Sequence, residues 1–135
     1  MIDRLLDPIV AAQVLASAML AICFLQSGID KVVDFKGNLA WLTGHFSKTP
    51  LRSQVAPMLV VVTILECAAG ALCAVGVIQL ALGNGTKAAL YGAELSALNI
   101  VMLFFGQRIA KDYAGAATLV SYFILCVGAI LLLTR

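Results

Sequence analysis

The sequence predicts an all-α integral membrane protein, a four-helix bundle with a short interfacial helix between its first and second spans. Hydrophobic residues make up 62% of the 135 residues, whereas charged residues make up only 12%. A soluble domain of this size keeps much of its surface in water and cannot bury so much apolar area. Four apolar segments approach the ~20 residues that cross about 30 Å of hydrocarbon.

The spans are predicted within a single transmembrane domain, residues 1–135, at about 8–31, 55–82, 86–108 and 113–134. Each is expected to be helical, because a backbone in lipid must satisfy its own hydrogen bonds. Pro8 and Pro57 stand near the starts of the first two spans, and proline fits a first helical turn. The first span resembles a secretory signal but runs on to Leu25, so we expect it to be retained.

Two connections between spans are short. Gly83-Asn84-Gly85 predicts a tight turn between the second and third helices, because glycine and asparagine adopt turn conformations easily. Residues 107–112 form the equally short junction between the third and fourth helices. Neighbouring spans in the sequence are therefore expected to pack antiparallel to one another.

The one long connection, residues 34–54, contains a predicted interfacial helix at about 36–46. Leu39, Leu42 and Phe46 are at helical spacing, and Trp41 lies beside them. Tryptophan is enriched where a membrane meets water, and an amphipathic helix lies in that plane. We therefore expect this helix to lie on the membrane surface.

Antiparallel spans bring most of the polar residues to one end of the bundle, the polar end. These residues close the first helix and join the third to the fourth: Gln26, Ser27, Asp30, Lys31, Asp34, Gln107, Arg108, Lys111, Asp112 and Tyr113. Charge pairs at helix ends also fix the depth of helices in the bilayer. Both interpretations, a ligand site and a depth anchor, stay open for this cluster.

Two acids lie inside predicted spans. Glu66 follows Val55 by about 16 Å of helix, and Glu94 lies nearer the opposite end. A charged acid at such depth costs about 3 kcal/mol on insertion scales, so each is expected to be neutral, paired or facing a wet cavity. Intramembrane acids are functional-site candidates by default. Their potential partners inside the bundle are Gln26, Ser96, Asn99 and Tyr122.

Several classes of site are excluded. The net charge of +2 is too small, and the basic residues too scattered, for a nucleic-acid surface. His45 is the single histidine, so neither a bis-histidine haem nor a histidine-rich metal site is expected. We expect His45 to be a solvated residue of the interfacial segment. The four cysteines lie in apolar runs without a C-x-x-C pair and are expected to be buried free thiols.

Two segments resemble the DoxX family of bacterial membrane proteins. FLQSGIDKVVDF at 24–35 closes the first span as in that family, and GQRIAKDYAGA at 106–116 resembles its junction between helices three and four. Glu66, in a second helix rich in small residues, is similar as well. The matched positions are Gly28, Lys31, Asp34, Glu66, Arg108 and Asp112.

The resemblance implies a bacterial inner-membrane protein that works beside a redox partner protein, with a quinone as the cofactor. The family takes its name from a subunit of a thiosulfate:quinone oxidoreductase. In that setting Lys31 or Arg108 would stabilise a developing quinol oxyanion, and Glu66 would pass protons. The chain lacks the C-x-x-C of related thiol–quinone enzymes, so it is not expected to perform disulfide chemistry alone.

The favoured hypothesis is thus a membrane subunit of a quinone-linked redox system, with a polar pocket at one end of the bundle. No catalytic residue is assigned, and the pocket candidates are Gln26, Gly28, Lys31, Asp34, Glu66, Glu94, Gln107, Arg108 and Asp112. The alternatives are a non-enzymatic scaffold for a partner protein and, less favoured, a transporter of a small solute or lipid. A homo-oligomer is compatible with each.

Orientation follows from the distribution of Lys and Arg. The polar end carries six of these residues and the other end three. Positive residues are enriched in cytoplasmic loops, which predicts a cytoplasmic polar end and periplasmic termini.

Overall fold

The computed structural model describes residues 2–134, and over this range the chain forms six helices joined by turns. They are α1 (Ile2–Leu5), α2 (Pro8–Val33), α3 (Phe35–His45), α4 (Val55–Leu82), α5 (Lys87–Ile109) and α6 (Tyr113–Leu133). The helices α2, α4, α5 and α6 are each long and apolar enough to cross a membrane. The predicted fold is therefore confirmed, and the chain is a multi-pass membrane protein.

The first span begins and ends at aspartates. The Asp7 carboxylate accepts a hydrogen bond from the backbone N–H of Ile9, and Pro8 occupies the first turn of α2. Asp34 separates α2 from α3, and its carboxylate accepts from the N–H of Gly37. Such side-chain caps satisfy N–H groups that have no partner within a helix. Asp34 therefore turns the chain from the membrane into the interfacial helix.

The end of the bundle opposite the polar end is held by hydrogen bonds from side chains to backbone. The Arg4 guanidinium of α1 donates to the carbonyl oxygen of Leu80, 3.1 and 3.2 Å away, at the C-terminus of α4. Gln13 of α2 donates to the carbonyl of Leu132, 3.0 Å away, at the C-terminus of α6. Gly83 ends α4 with a φ of 76°, a left-handed conformation that glycine adopts without strain.

Small residues bring the helix backbones close together along most of the bundle. A Cβ atom placed on Gly76 would lie 2.5 Å from Ala89 of α5, and one on Gly28 would lie 2.7 Å from the Cys67 Sγ. Membrane helices associate through such close packing, since lipid provides little hydrophobic driving force. Large apolar side chains point outward instead, Leu15 and Ile124 among them, as expected for a surface in contact with lipid.

The interfacial helix α3 lies where it is predicted and packs beside α4 at the polar end. Phe46, which ends α3, is buried and reaches Gly106 of α5. Trp41 on the same helix is 62% exposed. The helix is thus anchored to the bundle through Phe46 and keeps its tryptophan at the surface.

Candidate functional site

The centre of the candidate site is an ion pair between two helices. The Lys31 Nζ of α2 lies 3.0 Å from the Glu66 Oε2 of α4 and donates a second hydrogen bond to Ser27 Oγ at 2.8 Å. Glu66 is 2% exposed and Lys31 18%. Side chains on a helix slope toward its N-terminus, so Lys31, near the end of α2, reaches back into the bundle. The pairing offsets the cost of burying the Glu66 carboxylate inside the bundle.

A polar cavity of about 340 Å³ lies beside this pair, between α2 and α6. Its polar wall consists of Gln26, Ser27, Asp30, Glu66 and Tyr122. Residues of α2, α4, α5 and α6 all line the cavity, with Leu119 and Tyr122 contributed by α6. The cavity is therefore a space between all four membrane-spanning helices.

A larger and mainly apolar cavity of about 750 Å³ lies under α3, between α4 and α5. Trp41 and Phe46 cover it, and Lys31 forms part of its wall. Leu103 and Leu119 line both cavities. The Lys31–Glu66 pair therefore stands where a polar and an apolar compartment meet, and an amphiphilic molecule matches that arrangement.

A second polar cluster joins α3 to the junction of α5 and α6. The His45 Nε2 is 2.9 Å from Gln107 Oε1 and 3.8 Å from Asp112 Oδ2, and its ring stacks on Trp41 at a centroid distance of 4.7 Å. Asp112 also caps α6 by accepting from the N–H of Gly115. The expectation of a solvated His45 is corrected, because its side chain is only 18% exposed. Trp41 and His45 are four residues apart on one helix, and this spacing is the sequence pattern from which their contact could have been predicted.

Arg108 does not join Lys31 and Glu66, although the sequence places all three near one end. Its guanidinium carbon lies 4.7 Å above the ring of Tyr113, and the side chain is exposed. This cation–π contact fixes the turn between α5 and α6 at the surface. The polar end therefore contains two separate clusters, and the expectation of one pocket shared by Lys31, Glu66, Arg108 and Asp112 is corrected.

The second intramembrane acid, Glu94, lies on the outer surface of α5. It is exposed, it lines neither cavity, and within residues 2–134 its carboxylate has no hydrogen bond or ion pair. Within the described residues, Glu94 therefore has neither the wet cavity nor the partner inside the bundle that the sequence led us to expect. Sequence spacing alone could not show which of the two glutamates is buried, because each lies in an apolar span.

The remaining candidates have distinct places. Gly28 allows the contact of α2 with α4, Asp34 caps α3, Gln26 lines the polar cavity, and Gln107 binds His45. Asp30 lines the polar cavity as well, although the sequence did not identify it as a pocket candidate.

The four cysteines are free, with Cys73 and Cys126 fully buried. Among the described residues, no three His, Cys, Asp or Glu side chains form a metal-binding group.

Comparison with protein-family models, curated proteins and solved structures gives no match to this chain.

Proposed function

We propose that this protein binds an isoprenoid quinone at the Lys31–Glu66 pair and serves as the membrane subunit of a quinone-linked redox system. The observation that carries the proposal is the position of this pair between a polar and an apolar cavity. A quinone has a polar head and a long apolar tail. The polar cavity suits the head, and the cavity beneath α3 suits the tail.

The residues at the junction have the chemistry that such a head group requires. A bound quinone supplies two-electron redox chemistry, and its carbonyl oxygens accept hydrogen bonds and gain negative charge on reduction. The Lys31 ammonium has three donors, of which Ser27 and Glu66 engage two. Its third N–H is available to a carbonyl oxygen, and its charge stabilises negative charge there. Glu66, beside the same space, is placed to accept or donate a proton.

The proposal includes a redox partner protein that supplies or receives the electrons. It also includes a bacterial inner membrane, which the similarity to the DoxX family supports. With Lys31 engaged in the ion pair, five basic residues at the polar end still outnumber the three at the other. We therefore propose a cytoplasmic polar end and periplasmic termini.

The chain contains its own probe for the experiment. Trp41 is the single tryptophan and lines the apolar cavity, so a bound quinone should quench its fluorescence. A short-tailed ubiquinone and a menaquinone are titrated into the protein in nanodiscs. We expect saturable quenching, with affinity about tenfold lower in Lys31→Ala, which corresponds to about 1.4 kcal/mol.

Two matched controls make the same substitutions at positions outside the site. Lys87→Ala removes an exposed lysine at the opposite end, and Glu94→Gln removes an outward-facing carboxylate. Both should bind quinone as the unmodified protein does, while Glu66→Gln should bind it more weakly. Linear, non-saturating quenching in the unmodified protein, or equal affinities in Lys31→Ala and Lys87→Ala, would reject the proposal.

A second candidate, a membrane scaffold, is favoured by Glu94. Its outward carboxylate stands beside Tyr91 and Leu98 on the exposed face of α5. A basic side chain in the membrane span of a partner protein would complement this charge. The scaffold predicts a stoichiometric heteromeric complex in gentle detergent that survives Glu66→Gln and is lost in Glu94→Leu. Native mass spectrometry that detects the chain alone, or only with copies of itself, would contradict it.

A further inference from the structure

The polar cavity lies deep in the membrane, because α4 extends past α2 at the polar end. The close contact of Gly28 with Cys67 fixes the register of the antiparallel α2 and α4. This register places Asp30 of α2 at nearly the depth of Glu66, which is about 16 Å of helix from the start of α4. Asp30 is therefore an intramembrane carboxylate, although only three residues follow it in α2.

The exposed rim of the cavity opens sideways, toward the surrounding bilayer. The rim consists of Gln26 and Asp30 of α2 and Tyr122 of α6. Tyr122 follows the first residue of α6 by nine positions, about 14 Å, so it also lies in the middle of its span. Residues that are exposed at this depth face hydrocarbon rather than water. A guest that passes this rim therefore comes from the membrane.

The wall of the cavity has a negative charge that no side chain within residues 2–134 neutralises. The Glu66 carboxylate is paired with Lys31, at 3.0 Å. The Asp30 carboxylate has neither an ion pair nor a hydrogen bond in that range. Lys31 lines the apolar cavity and not the polar one. Because acids inside membranes almost always have a partner, Asp30 calls for a positive group that the cavity itself does not supply.

Two aromatic rings line the same space. Phe24 is buried in its wall, and Tyr122 stands at the rim. The face of an aromatic ring attracts cations, and the attraction grows where water is excluded. The side-chain oxygen of Gln26 adds a neutral acceptor. A carboxylate, ring faces and a neutral oxygen together suit an organic ammonium ion, and a volume of about 340 Å³ admits one that carries several alkyl groups or a ring.

We propose that the polar cavity binds a lipophilic ammonium cation, which enters sideways from the bilayer between α2 and α6. Its positive charge pairs with Asp30, and its alkyl or aryl groups pack against Phe24 and Tyr122. The proposal goes beyond the quinone site and does not depend on it. A quinone head group and the cation occupy the same cavity, so each should displace the other, but each should bind when the other is absent.

Two small molecules of the same shape test whether the charge is recognised. Benzyltrimethylammonium carries a fixed positive charge, and neopentylbenzene has a carbon atom in place of the nitrogen. Cys23 lines the polar cavity and gives the readout, whereas Cys67 is a half-buried thiol that lines neither cavity. The protein in phosphatidylcholine nanodiscs is alkylated with N-ethylmaleimide, and mass spectrometry follows both thiols.

We expect benzyltrimethylammonium to slow the alkylation of Cys23 in a saturable way and to leave that of Cys67 unchanged. Neopentylbenzene should need a concentration about tenfold higher for the same protection, because it makes no charged contact with Asp30. This comparison uses the unmodified protein, so it does not depend on the folding of any variant.

Equilibrium dialysis with radiolabelled benzyltrimethylammonium measures the affinity, with empty nanodiscs as the baseline. Asp30→Asn keeps the shape of the side chain and should weaken binding about tenfold. Glu94→Gln is the matched control, because it removes an exposed intramembrane carboxylate outside the cavity, and it should bind as the unmodified protein does. Tyr122→Leu should weaken binding about threefold, whereas Tyr122→Phe, which keeps the ring face, should not.

Three results would overturn the inference: equal protection of Cys23 by the two molecules, no saturable binding above empty nanodiscs, or an equal loss in Asp30→Asn and Glu94→Gln. None of these results bears on the quenching of Trp41 by a quinone, which is measured without the cation. Failure of the cation site and failure of the quinone site are therefore distinguished.

Discussion

The Lys31 ammonium reaches back along α2 to within 3.0 Å of the Glu66 carboxylate, although Lys31 lies only two residues before the end of its helix. A lysine near the end of a span ordinarily extends toward the headgroups. Here the slope of helical side chains and the hydrogen bond to Ser27 direct it inward. The ion pair is thus a link between α2 and α4 as well as the centre of the candidate site.

Removal of one partner of this pair should destabilise the protein more than removal of both. Glu66→Leu leaves the Lys31 ammonium without its counter-charge, and we expect a loss of about 3 kcal/mol in the free energy of unfolding. The double variant Lys31→Met with Glu66→Leu should recover most of this loss. Unfolding by a denaturing detergent, followed by circular dichroism, measures the double-mutant cycle. Strictly additive single effects would show that the pair contributes no coupling.

Gly28 should tolerate no larger side chain. Its missing Cβ would lie 2.7 Å from the Cys67 Sγ and 3.1 Å from the Cys67 backbone nitrogen, so Gly28→Ala must push α2 away from α4. We expect a destabilisation of about 1–3 kcal/mol. Gly128→Ala is the matched control, because nothing lies within 4 Å of a Cβ there. It should be neutral or stabilising by up to about 1 kcal/mol, since alanine is the better helix former. A similar loss in both variants would refute the packing role.

The fold could be predicted from the sequence because the bilayer imposes length and apolarity on every span. Each predicted span agrees with the structure within two residues at both ends. The caps are also local features: Asp7, Asp34 and Asp112 each precede a helix and accept from its first turn. The short α1 was not predicted, because four residues carry little periodic signal and depend on the contact of Arg4 with Leu80.

The candidate site could be predicted only in part, because the sequence gives depth along a helix but not the direction of a side chain. Lys31 and Glu66 form an ion pair, whereas Arg108 at the same end points outward and packs over the ring of Tyr113. Glu66 and Glu94 have similar apolar neighbours, yet one is buried and the other exposed. The rotation of each helix about its own axis decides whether a residue faces inward or outward. Helix–helix packing sets this rotation, and no local sequence pattern predicts it.

His45 should hold α3 against the junction of α5 and α6. Its hydrogen bond to Gln107 joins residues 62 positions apart, and Trp41 stacks on the same ring. His45→Leu removes the bond and leaves the Gln107 amide partly buried without this partner, so we expect α3 to loosen. Hydrogen exchange of the α3 amides should become faster, and Trp41 emission should shift. Lys48→Leu, an exposed change just beyond α3, serves as the control. Unchanged exchange in His45→Leu would show that Phe46 alone anchors the helix.

The outward-facing Glu94 should lower the stability of the isolated protein. It lies seven residues after Lys87, about 10 Å along the membrane-spanning α5, and its exposed carboxylate has no partner in the described range. An acid at such depth costs about 3 kcal/mol on insertion scales, although protonation and local water reduce the cost. We therefore expect Glu94→Leu to stabilise the purified protein by about 1–3 kcal/mol against unfolding in bilayers. The reverse change one turn further on, Leu98→Glu, should destabilise it by a similar amount, because Leu98 occupies the same exposed face.

A Glu94→Leu variant that is less stable than the unmodified protein would mean that Glu94 already has a partner in the assembled state. The lipid-facing position of this carboxylate would then be wrong, and the surface of α5 would have to be an interface.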